Sequence, residues 1–248
     1  VLPPSFSSAW MAWSSGVPAR IGYRGEGRRW LLTHPIQRRH PLRTQHLVSE
    51  YLDLFEQGLA LEDHPPRITP EIAWVDQQLS HITPQLPERY AVLAPAAEYG
   101  PAKQWPLAHY RSLAQELDLP VIVTGLAQDR VLGEQIGADL PHVRNFCGES
   151  NLAELTALLQ RADLLVCNDS GAMHLGAALG IPPLGLFGSS SPAWTRPIGP
   201  KALHLSLGVE CSPCFERTCR FQHYDCLQNL TPVLVKKTVE ELRSLSEN

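Results

Sequence analysis

The sequence predicts an α/β fold with a doubly wound parallel sheet over residues 88–205, and three observations lead there. Short apolar runs of strand length alternate with stretches of helical period. Asn151-Leu152-Ala153-Glu154 is a capping-box signature, with Asn151 as the cap and Glu154 reaching back to its backbone N–H. Gly180 and Pro182 stop a small-residue helix in the expected order, glycine at the end and proline just beyond. Strands that alternate with helices pair in parallel through right-handed crossovers.

The elements follow in order. Tyr90-Ala91-Val92-Leu93-Ala94 is an apolar run of strand length. Pro106 opens a helix that carries Leu107, Tyr110, Leu113, Ala114 and Leu117 at helical spacing, since proline suits a first helical turn. Val121-Ile122-Val123-Thr124 is β-branched and ends at Gly125, which predicts a strand and a turn. The polar segment from Gln128 to Ala138 reads as a helix, and Val143 to Cys147 as a weaker strand. The helix capped by Asn151 places Leu152, Leu155, Leu158 and Leu159 on one face. Leu164-Leu165-Val166-Cys167 is a fully apolar strand, followed by a helix to Leu179 and a strand from Leu184 to Phe187.

Residues 1–87 differ. They show one helix, about His46 to Gly58, with Leu47, Tyr51, Leu54 and Phe55 in register, then a Pro-rich stretch between Pro65 and Pro87 that favours an extended connector. Too few strands are visible for an independent sheet. Val1-Leu2-Pro3 reads as the tail of a strand, and no initiator Met precedes it. The expectation is a partial N-terminal domain and linker over 1–87, with roughly 90 residues upstream, and a complete domain over 88–248 with a cysteine-rich insert at 211–226 and a C-terminal helix.

Composition narrows the function classes. The 248 residues are 44% hydrophobic and 19% charged, and 21 basic against 25 acidic side chains give a net charge of −4. That balance excludes a disordered tail, a coiled coil and a nucleic-acid arm. No apolar run approaches the roughly 18 residues of a membrane span, and the first residues do not resemble a signal peptide.

Two loops carry the chemistry. Asn168-Asp169-Ser170-Gly171-Ala172-Met173-His174 joins a strand to a helix. In open α/β sheets ligands bind beyond the carboxyl ends of the strands, where unpaired first-turn N–H groups and the helix dipole favour an anion. Gly171 and Ala172 leave that backbone accessible to a phosphate, whereas the charge of Asp169 suits a sugar or ribose hydroxyl. A helix capped by Asp169 or Ser170 with no ligand is the plain alternative. The second loop, Pro95 to Pro106, also follows a strand and precedes a helix, and Lys103 within it is a candidate point charge for a diphosphate. No G-x-G-x-x-G follows any strand, which counts against a dinucleotide dehydrogenase.

Glu98-Tyr99-Gly100-Pro101-Ala102-Lys103-Gln104-Trp105-Pro106, Asn168 to His174, the loop Gly188-Ser189-Ser190-Ser191-Pro192 with Thr195, and Gly16 to Glu26 together resemble the bacterial ADP-heptose:lipopolysaccharide heptosyltransferases. The resemblance covers most of the chain. It implies a GT-B fold of two Rossmann-like domains, the N-terminal one incomplete here. It also implies a cytoplasmic enzyme, peripheral on the inner face of the inner membrane, needing no cofactor for inverting transfer of heptose from ADP-heptose to the lipopolysaccharide inner core. On that analogy Lys103 neutralises the leaving diphosphate and Asp169 binds heptose hydroxyls, each a catalytic residue. Ser170, Gly171 and His174 shape the phosphate-binding helix end. Glu98 lies in the donor motif, and Asp129 and Ser150 are candidates for the adenosine pocket. In the family the general base lies near the start of the N-terminal domain and nothing here matches it. The expectation is therefore a chain that binds donor without normal turnover, its base lying outside. Another sugar-nucleotide enzyme on the same fold, or an inert donor-binding and metal-bearing module, are the competing readings.

Two further clusters stand out. Between Arg20 and Arg43 seven arginines meet one acid, Glu26, a local charge of +6. A phosphorylated acceptor at a membrane surface would be drawn to it, through Arg24, Arg28 and Arg29, with Trp10, Trp13 and Trp30 meeting lipid or sugar. A solvated Arg-rich loop is the alternative. Cys211, Cys214, Cys219 and Cys226 form a C-x2-C-led cluster that could hold structural zinc or an iron–sulfur cluster, with His223 able to replace one thiolate. Cys147 and Cys167 sit in predicted strands as small core hydrophobes.

Overall fold

The computed structural model describes residues 1–59 and 86–246, and within the chain two compact units separate, Val1–Ile68 and Thr69–Asn248. The Pro-rich connector expected from Pro65 lies, up to residue 85, outside the described residues.

In the first unit, helix α1 (Phe6–Ser14) is started by Ser5, whose side chain accepts the Ser8 N–H. Strands β1 (Ile21–Tyr23) and β2 (His34–Ile36) pair in parallel, and helix α2 (Leu47–Leu59) follows. Helix α2 is the one the periodicity predicts. The other three elements escape the sequence reading: three-residue strands are too short to show alternation, and α1 interleaves serines with tryptophans. The segment Val1-Leu2-Pro3 is not a strand among the described residues; the Val1 amino group donates to the Ile21 carbonyl.

The second unit is a six-stranded, all-parallel sheet in the order β5-β4-β3-β6-β7-β8. Its strands are β3 (Ala91–Ala94), β4 (Val121–Val123), β5 (Val143–Asn145), β6 (Leu164–Asn168), β7 (Pro183–Leu186) and β8 (Leu203–Leu205). Helices α3 (Leu107–Glu116), α4 (Arg130–Gly137), α5 (Leu152–Gln160) and α6 (Gly171–Ala178) form the crossovers. Short helices α7 (Pro192–Thr195) and α8 (Asp225–Gln228) precede a C-terminal helix, α9 (Pro232–Ser246).

Both faces of the sheet are covered, which is why its strands read as continuous apolar runs. Ala91 and Leu93 point into a core with Leu113, Ile136, Val235, Val239 and Leu242 from α3, α4 and α9. Tyr90, Val92 and Ala94 point into the other, with Ala157, Leu158 and Met173 from α5 and α6. Asn151 and Glu154 make the reciprocal capping box, at 3.0 and 2.7 Å. Gly180 takes φ +76° where α6 ends. Pro106 occupies the cap position of α3 rather than its first turn.

Candidate functional site

Strand β3 pairs with β4 on one side and β6 on the other, so the chain winds outward in one direction and then crosses back. That reversal opens a crevice at the carboxyl ends of β3 and β6, where ligands bind in open α/β sheets. A pocket of about 710 Å³ lies there. Its walls include Ala96, Glu98 and Gln104 after β3, Thr124 and Asp129 after β4, Ser150 and Asn151 before α5, and Ser170 and Gly171 at the start of α6.

Asn168, the last residue of β6, ties the two loops together from beneath. It is fully buried; its Oδ1 accepts the Trp105 backbone N–H at 2.9 Å and the Tyr110 hydroxyl at 3.2 Å. Its Nδ2 donates to the Pro95 carbonyl at 2.7 Å. Trp105, also buried, donates its indole N–H to the Leu230 carbonyl at 2.6 Å. A loop anchored at both Pro95 and Trp105 has little freedom in where it puts Lys103.

Lys103 Nζ meets Asp169 Oδ2 at 2.6 Å, and the Thr195 hydroxyl donates to the same oxygen at 3.3 Å. Asp169 is 8% exposed. From sequence these residues serve separate ligands; in the structure they pair directly. The pair stands beside the pocket, its chain neighbours Gln104 and Ser170 lining the wall. Ser170 is the extended cap of α6 and makes no side-chain cap bond, and a side chain at Gly171 would meet nothing within 4 Å. The first turn of α6 therefore presents unpaired N–H groups to open space, the geometry that binds an anion.

Other predicted residues divide. Glu98 and Ser150 line the pocket. Asp129 lines it too, but its carboxylate accepts the Leu126 N–H at 2.8 Å and so shapes the turn after β4. His174 is exposed on α6 and is not among the lining residues. Ser189 and Ser190, in the loop after β7, are both buried and their hydroxyls have no hydrogen-bond partner among the described residues, and neither lines the switch-point pocket.

Two expectations need correction. Arg28 is 1% exposed; it donates to the carbonyls of Tyr23, Pro3 and Ser5 and so stitches its own unit together rather than facing an acceptor. Arg24 and Arg29 are exposed, Arg29 lying over the Trp30 ring. Arg38 pairs with Glu50, and Arg39 with Asp53 and Glu56, carboxylates outside the segment counted as +6.

The four clustered cysteines line one cavity of about 20 Å³ with Ala102 and Ser189. Among the described residues no three His, Cys, Asp or Glu side chains form a group able to hold a metal ion, so the zinc or iron–sulfur site expected at Cys211, Cys214, Cys219 and Cys226 is unsupported. Two of the four thiols sit in distinct surroundings. Backbone N–H groups of residues 221 to 224, Tyr224 foremost, point at Cys219 and hold its thiol below the ordinary range. Burial, and then the neighbouring Cys211, Cys214 and Cys219, push Cys226 up to about 11.

The segment that bears these cysteines braces the loop after β3 and the loop after β7. The Ala102 N–H donates to the Arg217 carbonyl at 3.0 Å and the Tyr99 hydroxyl to the Phe215 carbonyl at 2.6 Å. The Phe215 N–H donates to the Ser189 carbonyl at 2.7 Å, and the Ser212 hydroxyl to the Gly188 carbonyl at 2.6 Å.

Known proteins share this architecture and sequence. The profile of glycosyltransferase family 9 (heptosyltransferase) matches residues 1–225. Lipopolysaccharide heptosyltransferase 2 of Escherichia coli is 33% identical over 99% of this chain and 74% of its own length. Lipooligosaccharide heptosyltransferase 2 of Haemophilus influenzae is 32% identical over 84% of this chain and 64% of its own. The solved ADP-heptose lipopolysaccharide heptosyltransferase II of E. coli superposes with a TM-score of 0.79 at 30% identity, covering 99% of this chain and 76% of that one. With its parallel sheet, switch-point pocket and loop motifs, the chain is an enzyme of GT-B type and belongs to glycosyltransferase family 9, the heptosyltransferases.

Proposed function

We propose that this chain binds ADP-heptose in the switch-point pocket and serves heptose transfer to the lipopolysaccharide inner core. The observation that carries the reading is the Lys103–Asp169 pair at 2.6 Å beside a pocket of about 710 Å³, under the open first turn of α6. Breaking the sugar–phosphate bond leaves charge on the diphosphate. A lysine held by fixed loops, together with unpaired helix N–H groups, stabilises that charge without reorganising at the moment of reaction. Asp169, tied to Lys103 and Thr195, sets the ammonium's position and offers a carboxylate edge to sugar hydroxyls. The relatives named for ADP-heptose and lipopolysaccharide support this donor and acceptor.

The acceptor is read as membrane-borne and met peripherally at the inner face of the inner membrane. The exposed guanidiniums of Arg24 and Arg29 support that reading, because anionic lipid headgroups and core phosphates attract them. Among the described residues no helix is long and apolar enough to cross a membrane.

Calorimetric titration with ADP, ADP-heptose, a UDP-sugar and NAD tests the donor. Tightest binding of ADP-heptose, with ADP next, is the expected order. A preference for the UDP-sugar, or no nucleotide binding, would falsify the reading.

A further inference from the structure

Lys103 stands beside the pocket with its charge already shared with Asp169. A nucleoside diphosphate brings more than one negative charge, and one committed ammonium does not balance it. We propose that Arg217, on the cysteine-rich segment, is the second cation of the diphosphate subsite. The inference rests on the donor reading above and deepens it.

Placement is the first support. The Arg217 guanidinium carbon lies 5.2 Å from the centroid of the Tyr99 ring, and Lys103 Nζ lies 5.1 Å from the same centroid. One aromatic ring thus gathers two cations within about 10 Å of each other. Arg217 forms no ion pair among the described residues and is exposed, so its guanidinium keeps its donors for a ligand. Its planar fork matches phosphate oxygens two at a time, which an ammonium cannot do.

Fixation is the second. The Arg217 carbonyl accepts the Ala102 N–H at 3.0 Å, one residue from Lys103. Gly100 lets the chains approach: a Cβ there would lie 2.5 Å from that carbonyl oxygen. The Tyr99 hydroxyl donates to the Phe215 carbonyl, so the ring is held by the segment whose arginine it carries. The backbone contact that helps place Lys103 therefore also places the Arg217 backbone, and its guanidinium lies over the Tyr99 ring.

The test uses the full 248-residue chain, titrated calorimetrically with ADP and with AMP at low and high salt, comparing wild type, Arg217→Gln, Arg217→Lys and Lys103→Ala. Arg217→Gln should weaken ADP about tenfold, the worth of one charge-assisted contact, while AMP falls less than threefold. The salt dependence of ADP binding should become shallower, and Arg217→Lys should recover part of the affinity. Unchanged ADP affinity in Arg217→Gln, with Lys103→Ala weakened, overturns the role of Arg217 and leaves the donor reading standing. Equal losses for ADP and AMP overturn it too, since they mark the segment as bracing alone. Wild-type protein that binds no ADP overturns both.

Discussion

Asp169 shows how much one carboxylate's surroundings decide. Alone at a helix start it would cap the helix or repel a phosphate; placed 2.6 Å from Lys103 and 3.3 Å from the Thr195 hydroxyl, it instead orients the cation that a diphosphate needs. The two residues therefore respond differently to removal. Lys103→Ala deletes a charged contact worth about 1.5–3 kcal/mol, so ADP binding should weaken roughly 10- to 100-fold. Asp169→Asn keeps the shape, removes a competitor for the ammonium and should hold ADP affinity within about threefold, while destabilising the fold because a nearly buried Lys103 loses its partner. Titration calorimetry and denaturant unfolding on both variants check this. Parallel losses of ADP affinity would show that Asp169 itself contacts the nucleotide. The residue types of both groups were legible in the sequence, since each sits in a loop between a strand and a helix. Their pairing was not, because 66 residues separate them and only the β3–β6 crossover brings the loops together. Arg28 turns inward where the basic run implies an exposed cation, for a related reason: such a run shows charge but not which guanidinium caps backbone carbonyls.

The loop between β3 and α3 depends on a segment more than a hundred residues later. Gly100 takes φ +146°, and its missing Cβ leaves room for the Arg217 carbonyl 2.5 Å from where that atom would be. Gly180 is a useful comparison, with φ +76° and nothing within 4 Å of its absent Cβ. Alanine at Gly180 should cost only the backbone penalty, about 1 kcal/mol. Alanine at Gly100 should cost about 1–3 kcal/mol for the conformation, more for the carbonyl it displaces, and also weaken ADP binding as Lys103 shifts. Denaturant midpoints for the two variants, with ADP titrations alongside, measure the difference; equal destabilisation and intact ADP binding would rule out the brace. Elements with a clear period or cap were legible: α2, α3, α5, α6 and the apolar strands β3, β4, β6 and β7. Those missed include β1, β2, β8, α1 and the four-residue helices α7 and α8; the strands lack the β-branched run that marks the equally short β4, and tertiary pairing rather than local pattern makes them. The cysteine-rich segment was legible as a cluster, yet its spacing pointed to metal, whereas its backbone is occupied in holding the 99–104 and 188–191 loops.

Across the whole chain, burial keeps proton-bearing groups neutral in both units, and this gives stability a direction with pH. Burial, with the Asp129 charge adding to it, pushes the Cys147 thiol up to about 11, and burial pushes Cys226 to about 11 as well. In the first unit burial, followed by Asp53 and Glu50, pushes Tyr23 up to about 12; its hydroxyl donates to the Glu50 carbonyl. Each folded value lies above the ordinary one, near 9 for a thiol and 10 for a tyrosine. The folded state thus holds protons that the unfolded chain has released. The stability this contributes is complete below about pH 9 and is lost as pH climbs through 11 and then 12. Denaturant midpoints, taken with a reductant present so that thiolates do not oxidise, should rise slightly from pH 7 to 8.5 as the depressed Cys219 thiol ionises and fall steadily from 9 to 11. Cys147→Ala removes one contributor, so its fall over that range should be shallower than that of the wild type. A wild-type midpoint level up to pH 11 would mean that the buried thiols ionise in place, with water reaching the ends of β4 and β5. That would contradict the dry core that keeps the strands of this sheet continuous and apolar.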